Sequence, residues 1–213
     1  MIEIINYSQS PDGLNLLEQI AYCARVSNPA NQHNLETSEK LVNYLIRNQH
    51  WSPLEMVSVC LKIETTRDIA RQILRHRSFS FQEFSQRYAD PTKMSYELRE
   101  ARLQDTENRQ NSVETEDTGL QYRWNMVQEN VAALTKQSYD WAINNGIAKE
   151  QARAVLPEGM TPSVIYMNGT VRSWYHYCGL RSANGTQKEH REIAIEAAEV
   201  INTILPGFRE RVL

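Results

Sequence analysis

A length of 213 residues allows one substantial core and is short for two domains, so a single domain over residues 1–213 is expected. Lys and Arg number 23 against 26 Asp and Glu, a formal net charge of -3, which speaks against a nucleic-acid-binding module with its basic excess. No apolar run reaches the ~18 residues of a membrane span, and the start MIEIINYSQS lacks a basic stretch followed by an apolar one, so the chain is read as cytoplasmic. Cys23, Cys60 and Cys178 are odd in number and contain no CxxC, which indicates packed free thiols and no metal site.

Residues 2–6 read as a strand and 13–26 as a helix with Leu14, Leu17, Ile20 and Ala21 buried. Asn28-Pro29 breaks the pattern before a helix over 37–48, with Thr37 as a possible N-cap and Leu41, Tyr44 and Leu45 inward. In HWSPLE (50–55), Ser52 at N-cap, Pro53 at N1 and Glu55 at N3 predict a capping box. The free N–H groups of such a helix start also suit a diphosphate or an electron-rich ring. Residues 57–64 alternate apolar and polar, the mark of a half-buried strand. The next stretch, TTRDIARQILR, predicts a helix with Thr65 or Thr66 at its cap and Ile69, Ala70, Ile73 and Leu74 on its apolar side.

That helix ends in Arg75, His76 and Arg77. Successive helical residues are rotated about 100° apart, so at least one of the three is expected to point inward. A cationic C-terminus facing the macrodipole would account for the triplet alone. Beyond it, Phe79, Phe81 and Phe84 interrupt Ser78, Ser80, Gln82, Glu83, Ser85, Gln86 and Arg87. Rings at such spacing pin a loop while its polar groups converge on one object. Guanidinium forks match phosphate, and Ser and Gln read carbonyl and imide edges. An RNA-binding protein stacking bases on these rings is the alternative. Glu83 and Asp90 weigh against it, and a small phosphorylated ligand fits better.

Residues 90–111 are charged and weakly patterned, read as strand and loop, and 105–118 are polar enough for an exposed, mobile insertion. A long helix is predicted over 119–144, with Tyr122, Met126, Val127, Ala133, Leu134 and Trp141 inward and Asn145-Gly146 closing it. A short helix over 149–156 carries Arg153 and ends at Pro157. A strand over 162–167 and a turn at Asn168-Gly169 come next, then a helix over 171–180 with Arg181 at its end. The last helix spans 187–205 and buries Ile193, Ile195, Ala198 and Ile201. Arg153 and Arg172 would pass alone for solvated cations. No repeat, GxGxxG or Walker loop is present.

The run Arg75-His76-Arg77, seven residues, Ser85 and then Arg87 resembles the RHR-x7-S motif of the flavin-dependent thymidylate synthases, the ThyX family, and Glu83 and Tyr88 also fit. The likeness extends along nearly the whole chain. It implies an α/β fold of α+β type, with a mostly antiparallel central sheet flanked by long helices. It further implies reductive methylation of dUMP to dTMP: methylenetetrahydrofolate gives the carbon, NADPH reduces FAD, and the reduced flavin delivers hydride. A homotetramer with shared active sites is implied as well. The flavin would be met by His50, Ser52 and Glu55, which match a His-x-Ser/Thr-Pro-x-Glu run, and by Arg75, His76, Arg77, Ser78, Glu83, Arg172 and His176. The nucleotide would be met by Gln72, Arg75, Ser85, Gln86, Arg87, Arg153 and Arg181, with Arg153 on the phosphate and Arg181 on the base. Arg181 with Gln187 and Glu189 resembles the family's closing Arg-x5-Gln-x-Glu pattern. Gln82, Met56, His176 and His190 depart from the residues usual in the family.

Arg181 and Ser85 are the expected catalytic pair, with Ser85 as a ligand. A serine nucleophile needs a neighbouring base, and Arg75 and Arg87 are cations. No cysteine lies beside a cationic motif that would activate it as a nucleophile. An alternative that keeps the fold is a folate-dependent hydroxymethylase of dUMP or dCMP, in which water captures the carbon.

Overall fold

The computed structural model describes residues 1–213. In chain order the elements are β1 (Ile2–Tyr7), α1 (Leu16–Ala24), α2 (Ser38–Arg47), β2 (Ser58–Thr66), α3 (Arg67–Ile73), β3 (Ser80–Glu83), β4 (Arg102–Gln104), β5 (Ser112–Glu114), α4 (Thr118–Asn144), α5 (Lys149–Ala152), β6 (Pro162–Thr170), α6 (Val171–Arg181), α7 (Lys188–Asn202) and α8 (Phe208–Val212). The main sheet is four-stranded and wholly antiparallel, in the order β1-β2-β6-β3. The architecture is therefore the expected α+β one.

Val59, Leu61 and Ile63 of β2 are fully buried, so the strand forms the floor of a 26-residue core. Over it lies α7, whose Ala194, Ala197 and Ala198 allow close approach between Ile193 and Ile201. Trp174 locks α6 to the sheet by donating its indole N–H to the Val59 carbonyl at 2.9 Å. Asn15 and Glu18 form a reciprocal capping box at α1, and Asp117 caps α4 by accepting from the Leu120 N–H. No helix is long and apolar enough to cross a membrane.

Several expectations are corrected. In α1 the fully buried leucine is Leu16, with Leu17 half-buried and Leu14 half-buried ahead of the helix, and in α2 Ser38, Val42 and Leu45 face in while Tyr44 is exposed. Residues Ser52–Glu55 form a single 3-10 turn without a capping box, because the Glu55 carboxylate pairs with Arg172 instead. Asn168-Gly169 makes no turn, since β6 runs straight through it. A Cβ on Gly169 would lie 2.4 Å from Cδ1 of Phe79, so glycine serves here to let that ring lie on the strand. Residues 80–83, read as loop, pair with β6 as β3. The 105–118 stretch, exposed as expected, carries β5 and a turn in which Asp105 accepts from the Glu107 and Asn108 N–H groups at 2.8 and 3.0 Å.

The largest departure is α4. Tyr122, Met126, Val127, Leu134 and Trp141 are exposed, and Gln128, Thr135, Tyr139 and Ala142 are buried in their place. Gln128 makes two bonds to the Arg99 backbone, its carbonyl accepting and its amide donating at 2.8 Å each, which is why a polar face turns inward. The apolar face of the helix is left without cover.

Candidate active site

Strand β2 passes into α3 without a loop, and burial of Ile69, Ala70 and Ile73 orients the short helix. Gln72 and the following His76 then reach α6 and α7. Arg75 and Arg77 are exposed while His76 is half-buried, the inward member expected of the triplet. Arg181, at the end of α6, donates its Nε–H to His76 Nε2 at 2.9 Å. That nitrogen therefore carries no proton. Burial, then the Arg181 and Arg75 charges, lower the His76 pKa to about 4, and its ring stands edge-on to Tyr177 at 4.9 Å. Gln72 donates to the Gln187 side-chain oxygen at 2.8 Å and lies 3.2 Å from the buried His190 ring.

Two neutral histidines in the fold have a consequence for acid stability. In the unfolded chain both titrate near 6.5, whereas folded His76 waits until about 4 and His190 until about 3. Below pH 6.5 the unfolded state binds protons the native state refuses, so the stabilisation present above that pH is lost progressively as pH falls towards 3. Thermal melting is expected at a lower temperature at pH 5 than at pH 7.5, and the difference should shrink in a His190→Leu variant.

A second group gathers around β3 and α5. The Glu83 carboxylate accepts from Arg67 Nη1 at 2.8 Å and from the Ser163 hydroxyl at 3.0 Å, with the two charged side chains 19 and 9% exposed. Gln86 is buried, Ser85 is half-buried, and Arg87 lies 3.3 Å from Glu150. Arg67, Arg71, Gln86 and Arg153 line a cavity of about 340 Å³ together with Glu150 and Glu158. The carboxylate partners of Arg71 and Arg87 are exposed, and pairs of that kind hold weakly enough for an entering anion to displace them.

A third group lies where residues 50–55 meet the start of α6. Glu55 pairs with Arg172, the Trp51 ring packs on His176 at 4.6 Å, and His50 packs on Tyr44 at 5.9 Å. Burial and the Arg172 charge lower the His176 pKa. Ser52 is exposed nearby, and the Ser78 carbonyl accepts from the Ser173 hydroxyl at 3.1 Å, tying the 75–88 segment to α6. Arg172 and Arg181 stand nine residues apart on this one helix, about 13.5 Å along its axis.

Of the expected site residues, Gln72, His76 and Arg181 come together. So do Gln86, Arg87 and Arg153 about the cavity and its Glu150, with Ser85 accepting from the Arg87 N–H at 3.4 Å, and so do Glu55, Arg172 and His176. The cavity beside Arg153 is lined by Arg71 of α3 but by neither Gln72, His76 nor Arg181. Glu83, expected at the flavin, is engaged with Arg67 and Ser163. Sequence reasoning missed Arg67 and Arg71, whose spacing of four on α3 was a usable signal, and the Tyr177–His190 pair.

The chain matches the family model described as thymidylate synthase complementing protein over residues 4–207. It is 48% identical over 198 residues to a probable flavin-dependent thymidylate synthase of Paramecium bursaria Chlorella virus 1, covering 92% of this chain and 91% of that protein. It is 51% identical over 197 residues to a flavin-dependent thymidylate synthase of Synechocystis sp., covering 92 and 87%. The crystal structure of a UMP/dUMP methylase from Streptomyces cacaoi bound with 5-Br UMP shares the fold with a TM-score of 0.81, at 24% identity, over 99% of this chain and 92% of that one.

Proposed function

The chain belongs to the flavin-dependent thymidylate synthase family, and from that premise we propose how its own residues carry out the reductive methylation of dUMP to dTMP. Methylenetetrahydrofolate gives the carbon and NADPH the reducing equivalents. FAD, when bound, supplies the hydride chemistry. The observation that carries the reading is Arg181, a guanidinium with no carboxylate partner, held against the neutral ring of His76 and near enough to His190, which meets Gln72, for its charge to act on that ring.

Arg87 and Arg153 neutralise the nucleotide phosphate, with Gln86 beside them. Gln72, Ser85 and Arg181 orient the uracil, and Arg181 stabilises the negative charge that develops on its carbonyl. Electrostatic polarisation does this without a covalent adduct. Burial raises the pKa of Cys60 and of Cys178, so neither thiol is an activated nucleophile. Arg75 and Arg77, exposed and without carboxylate partners, fit the diphosphate of a dinucleotide. His50, Ser52, Glu55, Ser78, Arg172 and His176 extend that surface along α6. Glu83 serves the nucleotide side instead, by holding Arg67 on the wall of the Arg153 cavity.

That Arg181 does not line the cavity beside Arg153 supports a homotetramer in which each site draws on more than one subunit. The uncovered apolar face of α4 is suited to such contacts. Small molecules are the partners, with neither nucleic acid nor membrane involved, and a nucleotide-forming enzyme of this kind belongs in the cytoplasm. The test is direct. Purified protein should show the visible absorption bands of flavin and release tritium from 5-labelled dUMP only with folate and NADPH, giving a product with the mass of dTMP. A colourless protein, or a hydroxymethylated product, would overturn the proposal.

A further inference from the structure

A chain of side-chain hydrogen bonds runs through the interior beside Arg181, and its members come from α3, α6 and α7. Tyr177 Oη lies 3.2 Å from His190 Nε2, His190 Nδ1 lies 3.2 Å from Gln72 Oε1, Gln72 Nε2 donates to Gln187 Oε1 at 2.8 Å, and Gln187 Nε2 donates to Glu189 Oε2 at 2.9 Å. Amides and imidazoles can each be turned round, so the direction of such a chain has to be fixed from its ends.

Both ends fix it in the same sense. Burial pushes the Glu189 carboxyl up, but its own N–H, Arg99, Gln187 and Arg102 outweigh that and hold it below the usual carboxylate range. An ionised carboxylate only accepts. Gln187 must therefore present its NH₂ to Glu189 and its oxygen to Gln72, and Gln72 must present its NH₂ to Gln187 and its oxygen to His190. At the far end, burial keeps the Tyr177 phenol protonated, and the only partner of its O–H is His190 Nε2. The imidazole, fully buried and neutral, thus carries its proton on Nδ1 and gives it to Gln72. Turning the Gln72 amide round would set N–H against N–H.

We propose that His190 is a positioning residue: with Glu189 it locks the Gln72 amide so that one N–H of Nε2 remains to meet the ligand, and the site thereby selects a pyrimidine with a carbonyl over one with an amino group at the position Gln72 reads. Uracil offers an acceptor oxygen there and cytosine an N–H donor, which would face the Gln72 donor unpaired. The inference rests on the reading above that Gln72 meets the base.

Dissociation constants for dUMP and dCMP, measured calorimetrically on the flavin-loaded protein, test it. His190→Leu keeps the volume apolar but removes the donor, and should weaken dUMP binding and lower the dUMP-over-dCMP preference, each on the order of tenfold. His190→Asn restores a donor at the δ position and should recover most of the preference. In a Gln72→Ala background, His190→Leu should change nothing further, an outcome that a merely structural role would not produce. Unchanged preference in His190→Leu, or a full effect without Gln72, overturns the proposal. If Gln72→Ala itself leaves dUMP binding intact, the assignment of Gln72 to the base falls and the proposal with it. Loss of dUMP binding in Gln72→Ala beside a normal His190→Leu removes the proposal alone.

Discussion

Replacing Arg181 with alanine is expected to lower kcat/KM for dUMP methylation by about 10²–10³-fold while the protein still purifies with FAD. Arg181 has no carboxylate to neutralise it, and its side chain bonds to the imidazole of His76, so its charge is available for the role proposed for it at the uracil carbonyl. Among the residues assigned to the flavin, Arg172 with its partner Glu55 stands at the opposite end of α6, about 13.5 Å along the axis, which is why cofactor retention should survive. Tritium release and the flavin spectrum measure the two effects separately, and near-normal turnover would exclude Arg181 from the mechanism. The variant should also move the His76 titration upward from about 4, because the Arg181 charge is among the causes that depress it. If the proposed tetramer shares its sites between subunits, mixing Arg181→Ala subunits with Arg153→Ala subunits should restore part of the activity, since some sites would then hold both guanidiniums.

Glu83→Ala should cost about 3–5 kcal/mol in unfolding free energy, the largest stability effect expected of any single substitution near the site. Arg67 and Glu83 are both largely buried, and removing the carboxylate leaves the guanidinium uncompensated in a low-dielectric floor. Urea denaturation measures the loss. Ser163→Ala, which removes one neutral bond to the same oxygen, should cost only about 1 kcal/mol. The double variant Arg67→Met/Glu83→Leu should recover most of the deficit, because it removes both charges together. A Glu83→Ala protein as stable as the parent would mean that solvent reaches Arg67 more freely than its burial indicates.

Local rules made much of this molecule legible. Alternation marked β2, the capping residue Thr66 marked the start of α3, and three consecutive cationic residues required an inward one, which is His76. What escaped depended on distance along the chain. The HWSPLE run carries every local sign of a capping box, yet Glu55 takes Arg172, 117 residues away. Asn168-Gly169 looks like a turn until the Phe79 ring is placed against it. Periodicity on α4 identified an apolar face correctly but could not say what covers it, and within one chain nothing does. The His190 network was invisible for the same reason, since its bonds to Gln72 join positions 118 apart.

The Phe79 ring bears on how ligands are received. It is wedged between Gly169 of β6 and the rings of Trp174 and Tyr177, at 4.8 and 5.9 Å, so the RHR segment is anchored at its midpoint before any ligand arrives. If the segment receives a ligand as proposed, little backbone entropy is left to lose on association, and its affinity would reflect preorganisation rather than induced folding. Guanidinium side chains remain free to swing on a stationary main chain, so nucleotide analogues altered at the edges should be discriminated by sharp steric limits instead of being accommodated by a yielding loop.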